Sequence, residues 1–126
     1  MITGVGTDIV EIDRFRNLNR RTDFLRQVFT IGEIQGAAEL PAQDTFFATL
    51  FAIKEALLKA LGCGLQKGSL WTEIHITQDW KPELSGLLAR LAEEQSVSNI
   101  HVAHSHSDKS AVAFVLLETT NEEEIL

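Results

Sequence analysis

The chain has 126 residues, of which 44% are hydrophobic, and it carries a formal net charge of −7. This length and composition predict one domain with a hydrophobic core, and the acidic balance argues against a nucleic-acid-binding protein. The single cysteine, Cys63, excludes an internal disulfide. The sequence has no apolar run of membrane-spanning length and no leader-like segment, so we expect a cytoplasmic protein.

Residues 2–10 alternate in the manner of a β-strand. Asp8 falls on the same face of this strand as Ile2 and Val10, and two glycines, Gly4 and Gly6, precede it on that face. A carboxylate on such a face indicates either an internal polar partner or a bound cation. Both interpretations stay open from the strand alone.

Two short helical segments are predicted over residues 11–20 and 23–29. Five of the six arginines lie between residues 14 and 26, which indicates either a docking patch for an anionic partner or a solvated helix face. Thr30 and Glu33 then have the spacing of a capping box, which predicts a helix to about Glu39. We expect Asp44 or Thr45 to cap the next helix.

Residues 46–62 predict one long amphipathic helix. Lys54 falls in the middle of its apolar face, Glu55 lies at the border of that face and Lys59 lies on the far side. Burying an unpaired ammonium is costly, so this helix is expected to do more than fill a core. Gly62 follows where a helix end favours a left-handed residue. The apolar positions with helical spacing are Phe47, Leu50, Phe51, Leu57, Leu58 and Leu61.

The second half of the chain predicts a strand over residues 70–77, a turn over 79–82, a helix ending near residue 95, and strands over 99–106 and 110–118. The short polar link over residues 107–109 favours an antiparallel hairpin. Together these elements predict an α+β domain over residues 1–118, with a small antiparallel sheet packed against a long central helix and shorter helices. Residues 119–126 are expected to form a loose acidic tail.

The last strand pair contains three histidines. His104 and His106 would share one strand face and His101 the other, so the three would not converge on a zinc ion without a break in the strand. His106, flanked by Ser105 and Ser107, has the hydrogen-bonding neighbours of a phosphate contact, and an ordinary loop histidine is the alternative.

Four segments taken together resemble the holo-acyl-carrier-protein synthase type of 4′-phosphopantetheinyl transferase. They are GVGTDIVEIDRF, FTIGEI, FAIKEALLKALGCG and the terminal strand pair around SHS. The resemblance implies the fold of that family and the transfer of the 4′-phosphopantetheine arm of coenzyme A to a serine of an acidic acyl carrier protein. Adenosine 3′,5′-bisphosphate is the expected leaving product, and Mg²⁺ the expected cofactor.

The motifs also imply roles for particular residues. Asp8 and Glu55 match the metal-binding carboxylates, and Glu55 is our candidate base for the carrier serine. Lys54 and Lys59 resemble the helix lysines near the coenzyme A phosphates, and Lys59 is expected to assist catalysis. We expect a ligand or a neighbouring subunit to supply the anion for the inward-facing Lys54.

Further positions match the nucleotide site and the carrier contact. Gly62, His106 and Ser107 match residues that line the nucleotide site, and Arg14 matches an arginine that grips the carrier protein. Arg21 lies seven residues later and would share the face of Arg14 if the segment were continuously helical. The family forms trimers with active sites between subunits, so a homotrimer is implied.

Two departures from the family pattern leave rival functions open. Leu50 stands where the family usually has an arginine, and Trp80 begins a turn that often reads GKP. The first departure puts one phosphate contact in question. The rivals are a non-catalytic homologue that binds carrier protein or nucleotide, and a small metal-dependent phosphate-ester hydrolase.

Overall fold

The structure is a computed structural model that describes residues 1–17, 22–64 and 70–120. In chain order its regular elements are β1 (Ile2–Glu11), α1 (Thr22–Val28), α2 (Ile31–Ala37), α3 (Gln43–Ala60), β2 (Ile74–Ile76), β3 (Pro82–Leu84), α4 (Gly86–Glu94), β4 (Asn99–His106) and β5 (Ser110–Glu118). Short 3₁₀ turns occur at Ile12–Phe15 and Trp71–Glu73. None of the helices in the described ranges is long and apolar enough to cross a membrane.

The principal sheet has three antiparallel strands in the order β1-β5-β4. Its central strand is β5, in which Ala113 lies opposite Asp8 of β1 and opposite His104 of β4. The predicted hairpin of the last two strands is therefore confirmed. Strands β2 and β3 form a separate two-stranded antiparallel sheet. These elements confirm the predicted α+β class with a long central helix.

Helix α3 packs against β1 and β5 and supplies much of the core. It buries the apolar stripe predicted from its 3.6-residue period, including Phe47, Leu50 and Leu57. Two residues after the last helical residue, Ala60, Gly62 has a φ of 76°, the left-handed conformation expected at a helix end. The central helix thus forms with the face and the end that its sequence predicts.

The opposite face of the principal sheet is uncovered in the single chain. Val5 and Ile9 point away from α3 and are 50% and 66% exposed. Val112 and Phe114 of β5 lie on the same outer side, because Ile9 pairs with Val112 and Thr7 with Phe114. Apolar side chains on both strands of this outer face therefore remain in contact with solvent.

The helix boundaries include one confirmed cap and one that was predicted wrongly. Thr30 Oγ1 accepts a hydrogen bond from Glu33 N at 3.1 Å, and Glu33 Oε1 accepts one from Thr30 N at 2.8 Å, so the capping box of α2 is confirmed. Helix α3 begins at Gln43, and its N-cap, Ala42, provides no side-chain bond. Asp44 lies inside the first turn, where its carboxylate accepts from the adjacent Thr45 N–H.

The region before α4 differs from the prediction. A 3₁₀ turn replaces the first part of the expected strand, so that β2 covers only Ile74–Ile76. The short strand β3 was not predicted, since it begins with Pro82 and has three residues. Trp80 has a φ of 63° in the turn that joins the two strands.

The arginine-rich segment is not one continuous helix. The 3₁₀ turn ends at Phe15, Arg16 is extended, and Asn17 has a left-handed φ of 61°. A continuous helix was the condition for Arg14 and Arg21 to share one face, and that condition fails because the helical path breaks at Arg16 and Asn17. Arg21 itself lies outside the described residues.

Candidate active site

An ion pair between Asp8 and Lys59 joins β1 to α3. Lys59 Nζ lies 2.9 Å from Asp8 Oδ1 and also donates to the Thr7 carbonyl oxygen at 3.0 Å. The Asp8 side chain is 17% exposed and the Lys59 side chain 53%. The half-buried acid thus has an internal partner in a side chain that is itself about half exposed to solvent.

Two glycines of β1 bring this strand against the helix. An added Cβ would stand 2.0 Å from the Ala60 carbonyl oxygen at Gly4, and 1.9 Å from the Ala56 carbonyl oxygen at Gly6. Such separations are far below van der Waals contact, so only glycine permits this approach. Because side chains alternate along a strand, Asp8 is the next residue on the same face and is directed toward α3.

Glu55 belongs to the same electrostatic cluster. Burial raises the pKa of its carboxyl group, and the nearby charge of Asp8 raises that pKa further. The positive charges of Lys59 and Arg14 act in the opposite direction. The cluster therefore holds two carboxylates close enough to repel each other, partly neutralised by cationic side chains.

This carboxylate pair fits a magnesium ion better than a transition metal. Mg²⁺ prefers oxygen ligands and commonly uses one or two carboxylates together with substrate phosphates and water. Among the described residues, no group of three or more His, Cys, Asp or Glu side chains is arranged to hold a metal. Asp8 and Glu55 are the residues that could hold Mg²⁺, and the charge repulsion between them is what a cation would relieve.

Arg14 lies at the edge of this cluster. Its guanidinium carbon is 5.8 Å from the centre of the Phe51 ring, one helical turn before Glu55 on α3. The Arg14 side chain is exposed, so its charge is available at the surface beside the carboxylates.

Lys54 is oriented away from solvent, and its partner was not predicted. It is 0% exposed, and its Nζ lies 2.7 Å from Glu33 Oε1 and donates to the Val28 carbonyl oxygen at 2.8 Å. Burial lowers the pKa of Lys54, and the charge of Glu33 opposes that shift. The expectation that a ligand or another subunit supplies its anion is therefore wrong, because Glu33 of the same chain does so.

The Glu33 carboxylate connects three parts of the fold. Its Oε1 accepts from Lys54 and from the Thr30 N–H, and its Oε2 accepts from the Ile76 N–H at 2.7 Å. Sequence reasoning assigned Glu33 only a capping role. The one signal for its second role was the need of the inward-facing Lys54 for an anion, which did not indicate where in the chain that anion lies.

The remaining predicted nucleotide contacts lie elsewhere in the fold. Gly62 follows the C-terminal end of α3, and His106 and Ser107 lie where β4 meets the hairpin turn. His106 Nδ1 is 3.2 Å from the Ser107 carbonyl oxygen, and Ser107 Oγ accepts from Ser110 N at 3.1 Å. The structure brings Asp8, Glu55 and Lys59 together but shows no contact from them to His106 or Ser107 within the described chain.

A cavity of about 560 Å³ opens beside the Asp8–Lys59 pair. It extends over the outer face of the sheet, where Ile9, Val112 and Phe114 form an apolar floor. Charged groups at one end and apolar surface at the other are typical of a site for a small molecule with both kinds of group.

The sequence matches the family model of the 4′-phosphopantetheinyl transferase superfamily over residues 4–115. The chain belongs to this superfamily. A holo-acyl-carrier-protein synthase of Geotalea daltonii is 40% identical over 124 residues, which cover 94% of this chain and 99% of the relative. A synthase of the same name from Vibrio cholerae is 39% identical over 94% of this chain and 98% of its own length.

Solved structures of holo-acyl-carrier-protein synthases show the same fold. The holo-acyl-carrier-protein synthase of Neisseria meningitidis superposes with a TM-score of 0.79 at 32% identity, covering 94% of this chain and all of that one. The enzyme of Bacillus anthracis, solved in complex with coenzyme A (3′,5′-ADP), gives a TM-score of 0.73 at 31% identity, covering 95% and 99%. The superfamily fold predicted from the motifs is confirmed.

The two departures from the transferase pattern have different surroundings. Leu50 belongs to α3 and is buried in the core. Trp80 packs its ring 4.2 Å from the His104 ring and 5.8 Å from the Phe46 ring, measured between centroids. The second departure adds an aromatic contact between β4 and α3.

Proposed function

We propose that this chain is a holo-acyl-carrier-protein synthase that transfers the 4′-phosphopantetheine arm of coenzyme A to a serine of apo acyl carrier protein. The observation that carries the proposal is the cluster of Asp8, Glu55 and Lys59, formed across β1 and α3 in a chain of this superfamily. Relatives that cover nearly the whole chain bear the synthase name, and a similar structure holds coenzyme A.

In the reaction, the serine oxygen of the carrier forms a bond to the β-phosphorus of coenzyme A. The bond from that phosphorus to the bridging oxygen breaks, and adenosine 3′,5′-bisphosphate leaves with the electron pair. Asp8 and Glu55 would hold Mg²⁺, which would supply positive charge to offset the negative charge of the phosphates. Glu55 accepts the serine proton, either directly or through a water molecule, and Lys59 holds a phosphate oxygen.

The nucleotide end of coenzyme A is assigned to Gly62, His106 and Ser107, together with Lys59. Lys54 is not included, because its ammonium is fully buried and committed to Glu33. We assign Lys54 a structural role on the same helix instead.

We further propose a homotrimer with active sites between subunits. Two features support it: the uncovered apolar face of the sheet, and the absence of any contact in the described chain between the Asp8 cluster and His106. A second copy of the chain would bury the apolar face of the sheet. It would also bring its own His106 to the Asp8 cluster. Light scattering at micromolar concentration is expected to give three times the chain mass, and a monomer mass would contradict the assembly.

A mixing experiment tests whether the site is shared. Chains carrying Glu55→Gln and chains carrying His106→Ala are each expected to be weak alone and to recover part of the activity when mixed. No recovery after confirmed subunit exchange would indicate that both residues act within one chain.

We assign carrier recognition to Arg14 and Arg21, whose positive charges would attract an acidic carrier protein. We expect the reaction to take place in the cytoplasm.

We assign the transferase domain to residues 1–118 and an acidic tail to residues 119–126. The first two tail residues are attached, because Thr119 N donates to the Met1 carbonyl oxygen at 2.9 Å and Thr120 Oγ1 lies 3.1 Å from Ser98 Oγ. Residues 121–126 lie outside the described part.

Intact-mass measurement of apo carrier proteins tests the proposed reaction. Incubation with the enzyme, coenzyme A and Mg²⁺ should add about 340 Da, the mass of the transferred arm. Reactions without carrier form the control, since a transferase releases nucleotide only when carrier is present. Nucleotide release without carrier would indicate a hydrolase, and no release under any condition would indicate a binding protein.

A further inference from the structure

We propose that Lys59 exchanges partners during the catalytic cycle: it neutralises the carboxylates of the empty site and is released to coenzyme A when the metal binds. This inference rests on the proposed metal site at Asp8 and Glu55. Lys59 would weaken metal binding to the empty site and strengthen coenzyme A binding.

The Lys59 ammonium lies close to the proposed metal ligands. Lys59 Nζ lies 2.9 Å from Asp8 Oδ1, the distance of a charge-assisted hydrogen bond to a carboxylate oxygen. The positive charge of Lys59 also acts on Glu55, which lies one helical turn earlier on α3. One ammonium therefore faces both of the groups that would ligate the metal.

A bound metal ion would compete with the Lys59 ammonium for the Asp8 carboxylate. Mg²⁺ bound to a carboxylate lies about 2.1 Å from its oxygen, so the ion and an ammonium on the same oxygen would be only a few ångströms apart. Their like charges repel strongly in a half-buried site, where solvent screening is reduced. Lys59 must therefore leave Asp8, or weaken its contact, as the metal binds.

The displaced Lys59 ammonium could move within the same site. The Lys59 side chain is 53% exposed and contributes to the wall of the cavity beside Asp8, so a rotation of its flexible stem keeps it at the same site. Phosphate oxygens brought in by coenzyme A would offer a new anionic partner. Metal binding would thus free the lysine that the phosphate needs, which makes the two ligands bind cooperatively.

Metal affinity measured without coenzyme A tests this exchange. The probe is Mn²⁺ alone, titrated by calorimetry or by electron paramagnetic resonance into wild type and Lys59→Met. Lys81→Met is the matched control, because Lys81 is an exposed lysine that also pairs with an aspartate, Asp79, at 3.6 Å. We expect Lys59→Met to bind Mn²⁺ at least about fivefold more tightly than wild type, the lower end of ordinary coupling between sites. Lys59→Arg, which keeps the charge, should remain within about twofold of wild type on the same scale.

The second readout is coenzyme A binding in the presence and absence of metal. In wild type, Mn²⁺ should tighten coenzyme A binding, and in Lys59→Met both the affinity and this enhancement should fall. Circular dichroism and thermal unfolding without metal verify that each variant is folded, and Lys59→Gln serves as a second neutral variant.

Two outcomes would overturn the inference in distinguishable ways. If both neutral variants bind Mn²⁺ as wild type does, or more weakly, the lysine does not compete with the metal. If Asp8→Asn leaves Mn²⁺ affinity unchanged, the proposed metal site is itself misplaced and the exchange falls with it.

Discussion

Gly6 lies directly against Ala56, so that a Cβ atom at position 6 would stand 1.9 Å from the Ala56 carbonyl oxygen. This contact sets the distance between β1 and α3, and with it the distance between Asp8 on the strand and the carboxylate and ammonium groups on the helix. The geometry of the catalytic cluster therefore depends on a residue that has no side chain.

Gly6→Ala is expected to lower both stability and activity. Separating the strand from the helix should cost about 1–3 kcal/mol of unfolding free energy, as overpacking does elsewhere, and should displace Asp8. Urea unfolding and transfer rates measure the two effects. Gly36→Ala is the control, since an added Cβ there meets nothing within 4 Å and should stabilise α2 by up to about 1 kcal/mol. Equal stability of Gly6→Ala and wild type would contradict the close approach.

Neutralising either proposed metal ligand is expected to abolish most of the transfer. Asp8→Asn or Glu55→Gln should reduce turnover at least about a hundredfold, because metal stabilisation of phosphate charge contributes several kcal/mol. Rates are measured with saturating coenzyme A and Mg²⁺. Glu11→Gln, an exposed acid on the same strand, is the matched control and should remain near wild type. Near wild-type turnover in both site variants would refute the assignment.

Reversing the charge of Arg14 should affect the carrier much more than the nucleotide. Arg14→Glu is expected to raise the KM for the carrier about tenfold, or ~1.4 kcal/mol, and to change coenzyme A affinity far less. The wild-type KM for the carrier should rise with salt, because exposed charges are screened over roughly 8–10 Å at physiological ionic strength. Arg16→Glu is the control, since Arg16 already pairs with Asp13 at 2.8 Å. An unchanged carrier KM would move the docking surface elsewhere.

Removing one partner of the buried pair should cost more than removing both. Lys54→Met leaves the Glu33 carboxylate buried without its ammonium, which is expected to lower the unfolding free energy by about 3–5 kcal/mol. The double variant Glu33→Gln with Lys54→Met leaves no buried charge at this pair and should recover part of that loss. Thermal and urea unfolding of the set measure the coupling. A double variant less stable than Lys54→Met would show that the pair is not coupled in this way.

His104 should make stability depend on pH in the mildly acidic range. Burial, and then the charge of His106, lowers the pKa of His104 below its usual value of 6.5. As the pH falls, His104 is therefore protonated in the unfolded chain before it is protonated in the folded chain. The contribution of neutral His104 to the unfolding free energy is complete above pH 6.5 and is lost as the pH falls toward the pKa of the folded chain. His104→Phe, which keeps a ring beside Trp80, should flatten the decline in unfolding free energy between pH 6.5 and 5. The same slope in both proteins would exclude His104 as its source.

Long periodic elements could be predicted from the sequence, and contacts between distant elements could not. The face of α3 follows from local spacing, as do both strands of the last hairpin, and the motifs identify the superfamily. Local spacing shows that Lys54 points inward, but not that Glu33 meets it there. The three residues of β3 are too few to show a period, and the turn at Asn17, which separates Arg14 from Arg21, has no pattern of its own.

The sheet order places the first strand of the chain beside the last. Ile2 pairs with Glu118, so the central position of the sheet stays vacant until β5 has been synthesised. During that time β1 lacks its partner strand and α3 lacks one of the two strands that cover it. The pairing of β1 with β5 joins residues that are far apart in the chain, so it must form late. The growing polypeptide is therefore exposed to aggregation until β5 has left the ribosome, and chaperones that shield nascent chains should raise its folding yield without changing the unfolding free energy of the folded protein.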